Sequence, residues 1–216
     1  MYVAIVERRV NQELIGQRAG GLHARTIEVF DQRGIADRFL GQGKAMQVAA
    51  FALVPLSIED FPTRHNDGLA LRQRHIERIL AGWVDELGVT TYRGREVTGF
   101  TQDAGGVKVQ LADGGSFRAE YLVGCDGGRS LVRKAAGIEF PGADATTGAL
   151  IAEARLAQEP RPGAPEWGIR RTATGINALS RIEDSGLVGI LVTEGDLRRA
   201  GEEATLDDLR AGLIAA

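Results

Sequence analysis

The sequence predicts an α/β fold: part of a parallel-stranded sheet with covering helices, an antiparallel β-meander set into it, and a β-rich α+β segment behind. Three observations carry this. Residues 2–6, "YVAIV", are a short apolar, β-branched run closed by the acid Glu7, the pattern of a strand buried on both faces of a parallel sheet. Residues 73–87, "QRHIERILAGWVDEL", put Ile76, Ile79, Leu80, Trp83 and Leu87 on one side of a helix that stops at Gly88. From "TTYRGREV" at residue 90 onward, short β-rich runs alternate with Gly-Gly and Asp-Gly-Gly turns, which is the meander.

The remaining elements follow in order. Residues 18–32, "RAGGLHARTIEVFDQ", place Leu22, Thr26, Val29 and Phe30 near one helical face, with Gly34 as the stop. Residues 45–54, "AMQVAAFALV", read as one strand, and "PLSIEDFPTRHNDG" as an irregular loop. The helix over 73–87 should lay its apolar face on the sheet. Residues 121–125, "YLVGC", form a second continuous apolar strand that passes at once into "DGGRSLVRKAAG", a turn and a short helix closed by Gly137. Asp126 then stands at the carboxyl edge of a sheet, where open α/β folds bind ligands. Beyond "FPGADATTG" the runs "ALIAEARL", "WGIRRTA", "GINALSRI" and "GLVGILVTE" read as antiparallel strands, interrupted by the Pro-rich loop "EPRPGAP". A last helix, "TLDDLRAGLIAA", takes Thr205 as N-cap and carries Leu206, Leu209, Leu213 and Ile214 on its apolar side. The change of character sets a domain boundary near Asp144, giving domains 1–144 and 145–216.

Composition narrows the class. A chain of 216 residues with net charge −3 and 44% hydrophobic content is globular, with apolar material enough for a core. No apolar run approaches the roughly 18 residues of a membrane span, and residues 2–6 are too short for a signal peptide, so the expected location is cytoplasmic, with no membrane partner. The near-neutral balance argues against nucleic acid as a partner. The single Cys125 excludes an internal disulfide and, inside an apolar run, reads as a small core residue. His23, His65 and His75 stand in no metal-ligand spacing and no hydrolase setting, so the expected metal content is none. Glycine is the outlier, with 29 residues, against a usual level of about 7%. Many tight turns, or backbone brought close to a ligand, would account for it.

At this point the residues carry a resemblance. "VERR" at the end of a strand, "QRAGGLHARTIEVFDQRG", "RQRHIERIL" and above all "DGGRSLVRKAAG" resemble the FAD-dependent aromatic hydroxylases, single-component flavoprotein monooxygenases similar to para-hydroxybenzoate hydroxylase, and most of all the branch acting on aromatic polyketides. The most specific element is D-G-x-x-S-x-x-R, filled by Asp126, Gly127, Ser130 and Arg133 between a strand and a helix. The resemblance implies a partial Rossmann-like FAD-binding domain over 1–144 and the start of a substrate domain over 145–216.

It also implies roles. Glu7 would accept the adenosine ribose hydroxyls, a task suited to a carboxylate, with Arg8 beside it. Arg18 would approach the cofactor pyrophosphate, where a planar donor fork fits phosphate oxygens. Gln73 would lie near the ribityl and phosphate region, and Val97 belongs to the cofactor-binding set. Asp126 would bind a ribityl hydroxyl, Gly127 would let the cofactor approach the backbone, and Arg133 would serve the flavin side and nicotinamide access. The plain alternatives are a solvated acid at a strand end, surface arginines, a helix-start glutamine and an Asp-Gly turn. No residue is assigned as catalytic.

The family opens with a strand and a G-x-G-x-x-G turn whose amides hold the pyrophosphate, and it carries a later Gly-Asp motif. Neither stands in these 216 residues. The chain therefore reads as the interior of a longer flavoprotein, entered at the second strand of its dinucleotide fold, and as given it is expected to hold FAD weakly or not at all. The complete relative would use NADH or NADPH to reduce FAD, and molecular oxygen to hydroxylate an aromatic small molecule. The alternatives are a truncated protein without enzymatic activity, and a flavin-dependent reductase or halogenase.

Overall fold

The computed structural model describes residues 2–13, 19–47, 49–51, 53–158, 160–161, 167–173, 175–182, 185–194, 197–198 and 202–215. The chain divides into two compact units, Met1–Glu139 and Phe140–Ala216.

The first unit opens with β1 (Ala4–Glu7), which runs parallel to a strand much later in the chain. Next come β2 (Gly21–Leu22), α1 (Ala24–Asp31) and α2 (Ala36–Leu40), then β3 (Lys44–Met46), β4 (Ala49–Phe51), β5 (Val54–Leu56) and β6 (Gly68–Ala70). The long helix α3 (Gln73–Glu86) follows, then β7 (Thr90–Arg93), the parallel partner of β1, with Ala4 opposite Thr90 and Glu7 opposite Arg93. An antiparallel meander of β8 (Val97–Asp103), β9 (Gly106–Leu111) and β10 (Ser116–Ala119) precedes the short α4 (Leu131–Ala135).

The core of this unit forms where three helices meet β6. Ile27 of α1, Ile35 before α2, Ala36 and Phe39 of α2, Leu69 of β6, the adjoining Leu71, and Ile76 and Ile79 of α3 are buried together. The rings of Phe30 and Phe39 stack at 4.4 Å, an arrangement that adds to the area term. Gly88, with φ +67, ends α3 in the left-handed region, and its amide reaches the carbonyl of Asp85.

Five expectations for this unit need correction. Residues 2–6 are not buried on both faces: Val3 and Ile5 are exposed, and among the described residues β1 pairs with β7 alone. The helix expected over 18–32 begins only at Ala24, with Leu22 in the strand β2 and residues 14–18 outside the described residues. Residues 45–54 are not one strand, because the chain turns back between β4 and β5 at Leu53, which has φ 69. Thr90–Arg93 belongs beside β1 and not to the meander. Residues 121–125 form no strand, with Tyr121 and Val123 exposed, and Cys125 is exposed rather than a core residue. One cause serves the first and last: a continuous apolar run is buried only where strands flank both edges, and none does so here among the described residues.

The second unit is a four-stranded antiparallel sheet in the order β11-β14-β13-β12, built from β11 (Gly148–Ala154), β12 (Gly168–Thr172), β13 (Gly175–Ile182) and β14 (Leu187–Glu194). Val188, Ile190 and Val192 alternate inward along β14 and form its core. The closing helix α5 (Leu206–Ala215) is capped by Thr205, whose hydroxyl accepts from the Asp208 amide at 3.2 Å while its own amide donates to Asp208 at 2.7 Å. Of the residues expected on its apolar side Leu209 packs against the β14 core, whereas Leu206, Leu213 and Ile214 are exposed. "EPRPGAP" lies mostly outside the described residues.

Candidate functional site

Glu7 ends β1, and the chain turns immediately after it. The Arg9 amide donates to Glu7 Oε1 at 2.8 Å, and the Arg9 Nε lies 3.8 Å from the same oxygen. The backbone on both sides is clamped to the end of β7: Arg95 N–H donates to the Glu7 carbonyl and Gly94 N–H to that of Arg9. Among the described residues nothing donates to Glu7 Oε2, so one carboxylate oxygen is fixed and the other is open. Arg8 points away into solvent, 3.9 Å from Glu96.

The head of α3 meets this turn. Arg9 donates to Glu77 Oε2 at 3.2 Å, and Gln73 Nε2 donates to Glu77 Oε1 at 2.9 Å. The structure thus joins Glu7 and Gln73 through Arg9 and Glu77, two residues that the sequence reading did not assign. The Gln73–Glu77 spacing of four on a helix was the available signal. Gln73 is also held from below, its amide donating to the Ala19 carbonyl while Leu71 N–H donates to that of Gly20. Gly21 must be glycine, because a Cβ there would run into the Leu69 carbonyl. Arg18, next in sequence to Ala19, lies outside the described residues.

Asp126, Gly127 and Arg133 form a second network. The Ser130 hydroxyl donates to Asp126 Oδ1, and the amides of Leu131 and Val132 donate to Oδ2 at 2.7 and 3.1 Å. These bonds, the Ser130 hydroxyl first, hold the carboxyl below the usual aspartate range. Ser130 Oγ accepts from the Arg133 amide at 3.0 Å as the N-cap of α4, and the Arg133 guanidinium donates to the Gly128 carbonyl at 2.9 Å. The signature is therefore first a folding device that shapes the turn. Gly127 has φ +79 with nothing within 4 Å of where a Cβ would be, so the backbone there is both glycine-dependent and open to approach. Val97 begins β8, opposite Leu111, half-buried beside a bulge in the strand; β8 lies against α4.

A cavity of about 410 Å³, lined among others by His23, Arg25, Glu28, Phe61 and Thr63, includes none of the predicted residues. Among the described residues no cluster of His, Cys, Asp or Glu could hold a metal ion, and no helix is long and apolar enough to cross a membrane.

An FAD molecule asks for a ribose acceptor and for bare backbone beside its ribityl chain. The open Oε2 of an otherwise fixed Glu7 suits the first and the uncovered backbone at Gly127 suits the second, so the residues present fit the group.

The family described as FAD binding domain matches residues 1–215. Rifampicin monooxygenase from Streptomyces venezuelae is 37% identical over 201 residues, covering 92% of this chain and 42% of its own. The solved structure of the Diels-Alderase PyrE3 of pyrroindomycin biosynthesis superposes with TM-score 0.87 at 33% identity, over 98% of this chain and 46% of its own. That of the anhydrotetracycline hydroxylase OxyS from Streptomyces rimosus gives TM-score 0.80 at 37% identity, over 96% of this chain and 42% of its own. The chain thus spans less than half the length of these relatives.

Proposed function

Because the chain belongs to the FAD-binding-domain family, we propose that it contributes the ribose-facing and ribityl-facing parts of the FAD site in a cytoplasmic monooxygenase that hydroxylates an aromatic, polyketide-type small molecule, with NADH or NADPH as electron donor. The observation that supports this best is Glu7, fixed at Oε1 by the Arg9 amide and open at Oε2 at the carboxyl end of a parallel strand. When bound, FAD supplies the oxidative chemistry. The chain's own residues bind and orient it. In this reading Glu7 accepts the adenosine ribose hydroxyls, with Arg8 adding positive charge at the turn. Arg18 and Gln73 serve the phosphate region, Val97 packs beside the cofactor, and the turn at Asp126 and Gly127, locked by Ser130 and Arg133, admits the ribityl chain. Residues 1–144 then form the cofactor domain and 145–216 the start of the substrate domain.

Titration of a full-length version of the protein with FAD, followed by quenching of flavin fluorescence, tests this. Saturable binding that weakens in Glu7→Gln and Asp126→Ala is the expected result, and absence of binding in that version overturns it. A second reading is favoured by the PyrE3 likeness: one framework can also host a cyclisation with no net electron transfer. Substrate-dependent oxidation of NAD(P)H, measured on a full-length version, separates the two.

A further inference from the structure

The Glu7 turn carries a device beyond the cofactor contacts proposed above. A carboxylate at the end of a short strand is mobile unless something holds it, and the 2.8 Å bond from the Arg9 amide to Oε1 is local, available from almost any residue at position 9. What the cationic side chain adds is a tether of the turn itself, from the guanidinium to Glu77 Oε2 at 3.2 Å. Glu77 uses its other oxygen for Gln73, at 2.9 Å. One carboxylate on α3 therefore faces both ends of the candidate site.

We infer that Glu77, acting through Arg9, is a positioning residue that fixes the ribose-accepting carboxylate of Glu7 and ties it to Gln73 at the head of α3. This rests on the flavin-binding reading and deepens it. The pair is better shielded than its neighbour: the side chains of Arg9 and Glu77 are 40% and 26% exposed, against 77% and 55% for Arg8 and Glu96. It is accordingly less screened by solvent. Residue 9 is also clamped by backbone on its other side, where Gly94 donates to its carbonyl at 3.2 Å. The turn is thus held between β7 and α3, by backbone bonds on one side and by the ion pair on the other.

A ligand series separates positioning from mere stapling of the fold. A full-length version of the protein, as wild type, Glu77→Gln, Arg9→Lys, Glu7→Gln and the Glu7→Gln/Glu77→Gln double variant, is titrated calorimetrically with ADP and with 2′,3′-dideoxy-ADP. Glu77→Gln keeps an oxygen but loses the charge, and should weaken ADP binding by roughly three- to fivefold, the scale of a partly exposed pair, while leaving the dideoxy nucleotide unchanged. Arg9→Lys preserves the charge opposite Glu77 and should retain ADP affinity. The double variant should bind ADP no more weakly than Glu7→Gln alone, because Glu77 acts through Glu7. Equal loss for both nucleotides, additive losses in the double variant, or a drop in melting temperature with unchanged ADP affinity overturns the inference. A wild type that binds neither ADP nor FAD removes the flavin-binding reading and the inference with it. A wild type that binds both while Glu77→Gln matches it removes the inference alone.

Discussion

Ser130 donates its hydroxyl to Asp126 Oδ1 while the amides of Leu131 and Val132 donate to Oδ2, so the carboxylate of the D-G-x-x-S-x-x-R signature acts first on its own chain. Its pKa is lowered by these bonds, the Ser130 hydroxyl foremost. A carboxyl lowered on folding stabilises the fold above its unfolded value of about 3.9 and loses that contribution as pH falls through the lowered folded value. Amide exchange at Leu131 and Val132 should therefore be slower in the wild type than in Asp126→Ala near neutral pH, with the difference in protection fading below about pH 4; a constant difference down to strong acid contradicts the assignment. In a full-length version of the protein, Asp126→Ala should also weaken FAD retention more than Asp113→Ala, since Asp113 sits in a hairpin turn with Arg95 and the Gly115 amide. Equal flavin content in the two variants counts against the role proposed for Asp126. Much of this was legible in the sequence, because a cap and an Asp-Gly turn are local patterns. Arg9 and Glu77 were not, since 68 residues separate them and only the fold brings them together.

Elements were legible where pattern and environment agree. The helix α3 and the four strands of the second unit follow their periodicity, and Gly34, Gly88 and Gly137, all with positive φ, end elements as expected. The misread elements share one feature, dependence on distant partners. Residues 45–54 lack alternation, so nothing local marks the reversal at Leu53. Thr90–Arg93 looks like any edge of a meander until β1 is placed beside it. The short β2 and β6, two and three residues long, are too brief for periodicity to show and owe their existence to pairing across the sheet. Packing also sets an element-scale test at α4. A Cβ at Gly124 would stand 2.7 Å from the Val132 Cβ, whereas one at Gly128 meets nothing within 4 Å. Gly124→Ala must push α4 aside and should cost about 1–3 kcal/mol, the range for overpacking, in chemical denaturation. Gly128→Ala should be near neutral. Similar losses in both variants would show that Val132 does not press on the 124 position.

Among the described residues apolar side chains stand in solvent at several places, and whether the backbone beside them is paired decides how the protein should behave at high concentration. Along β1 they are grouped on a strand with an unpaired edge: Tyr2 is 81% exposed, Val3 and Ile5 join it, and among the described residues only β7 bonds to β1. Tyr121 and Val123 form a second group, in a segment that belongs to no strand. Leu206 on α5 is equally exposed, at 80%, but belongs to a helix whose backbone is satisfied internally. Open strand edges lined with apolar residues template pairing with another chain, whereas scattered apolar residues on helices are normal. A net charge of −3 on 216 residues supplies little repulsion against such contact. The chain should therefore associate reversibly as its concentration rises in sedimentation velocity. Ile5→Lys and Val123→Lys should each shift the distribution toward monomer, since lysine beside unpaired backbone blocks pairing without disturbing a core. Leu206→Lys should leave it unchanged. A chain that stays monomeric throughout refutes the argument, and if all three variants act alike, association follows apolar area in general and the strand edges carry no special part in it.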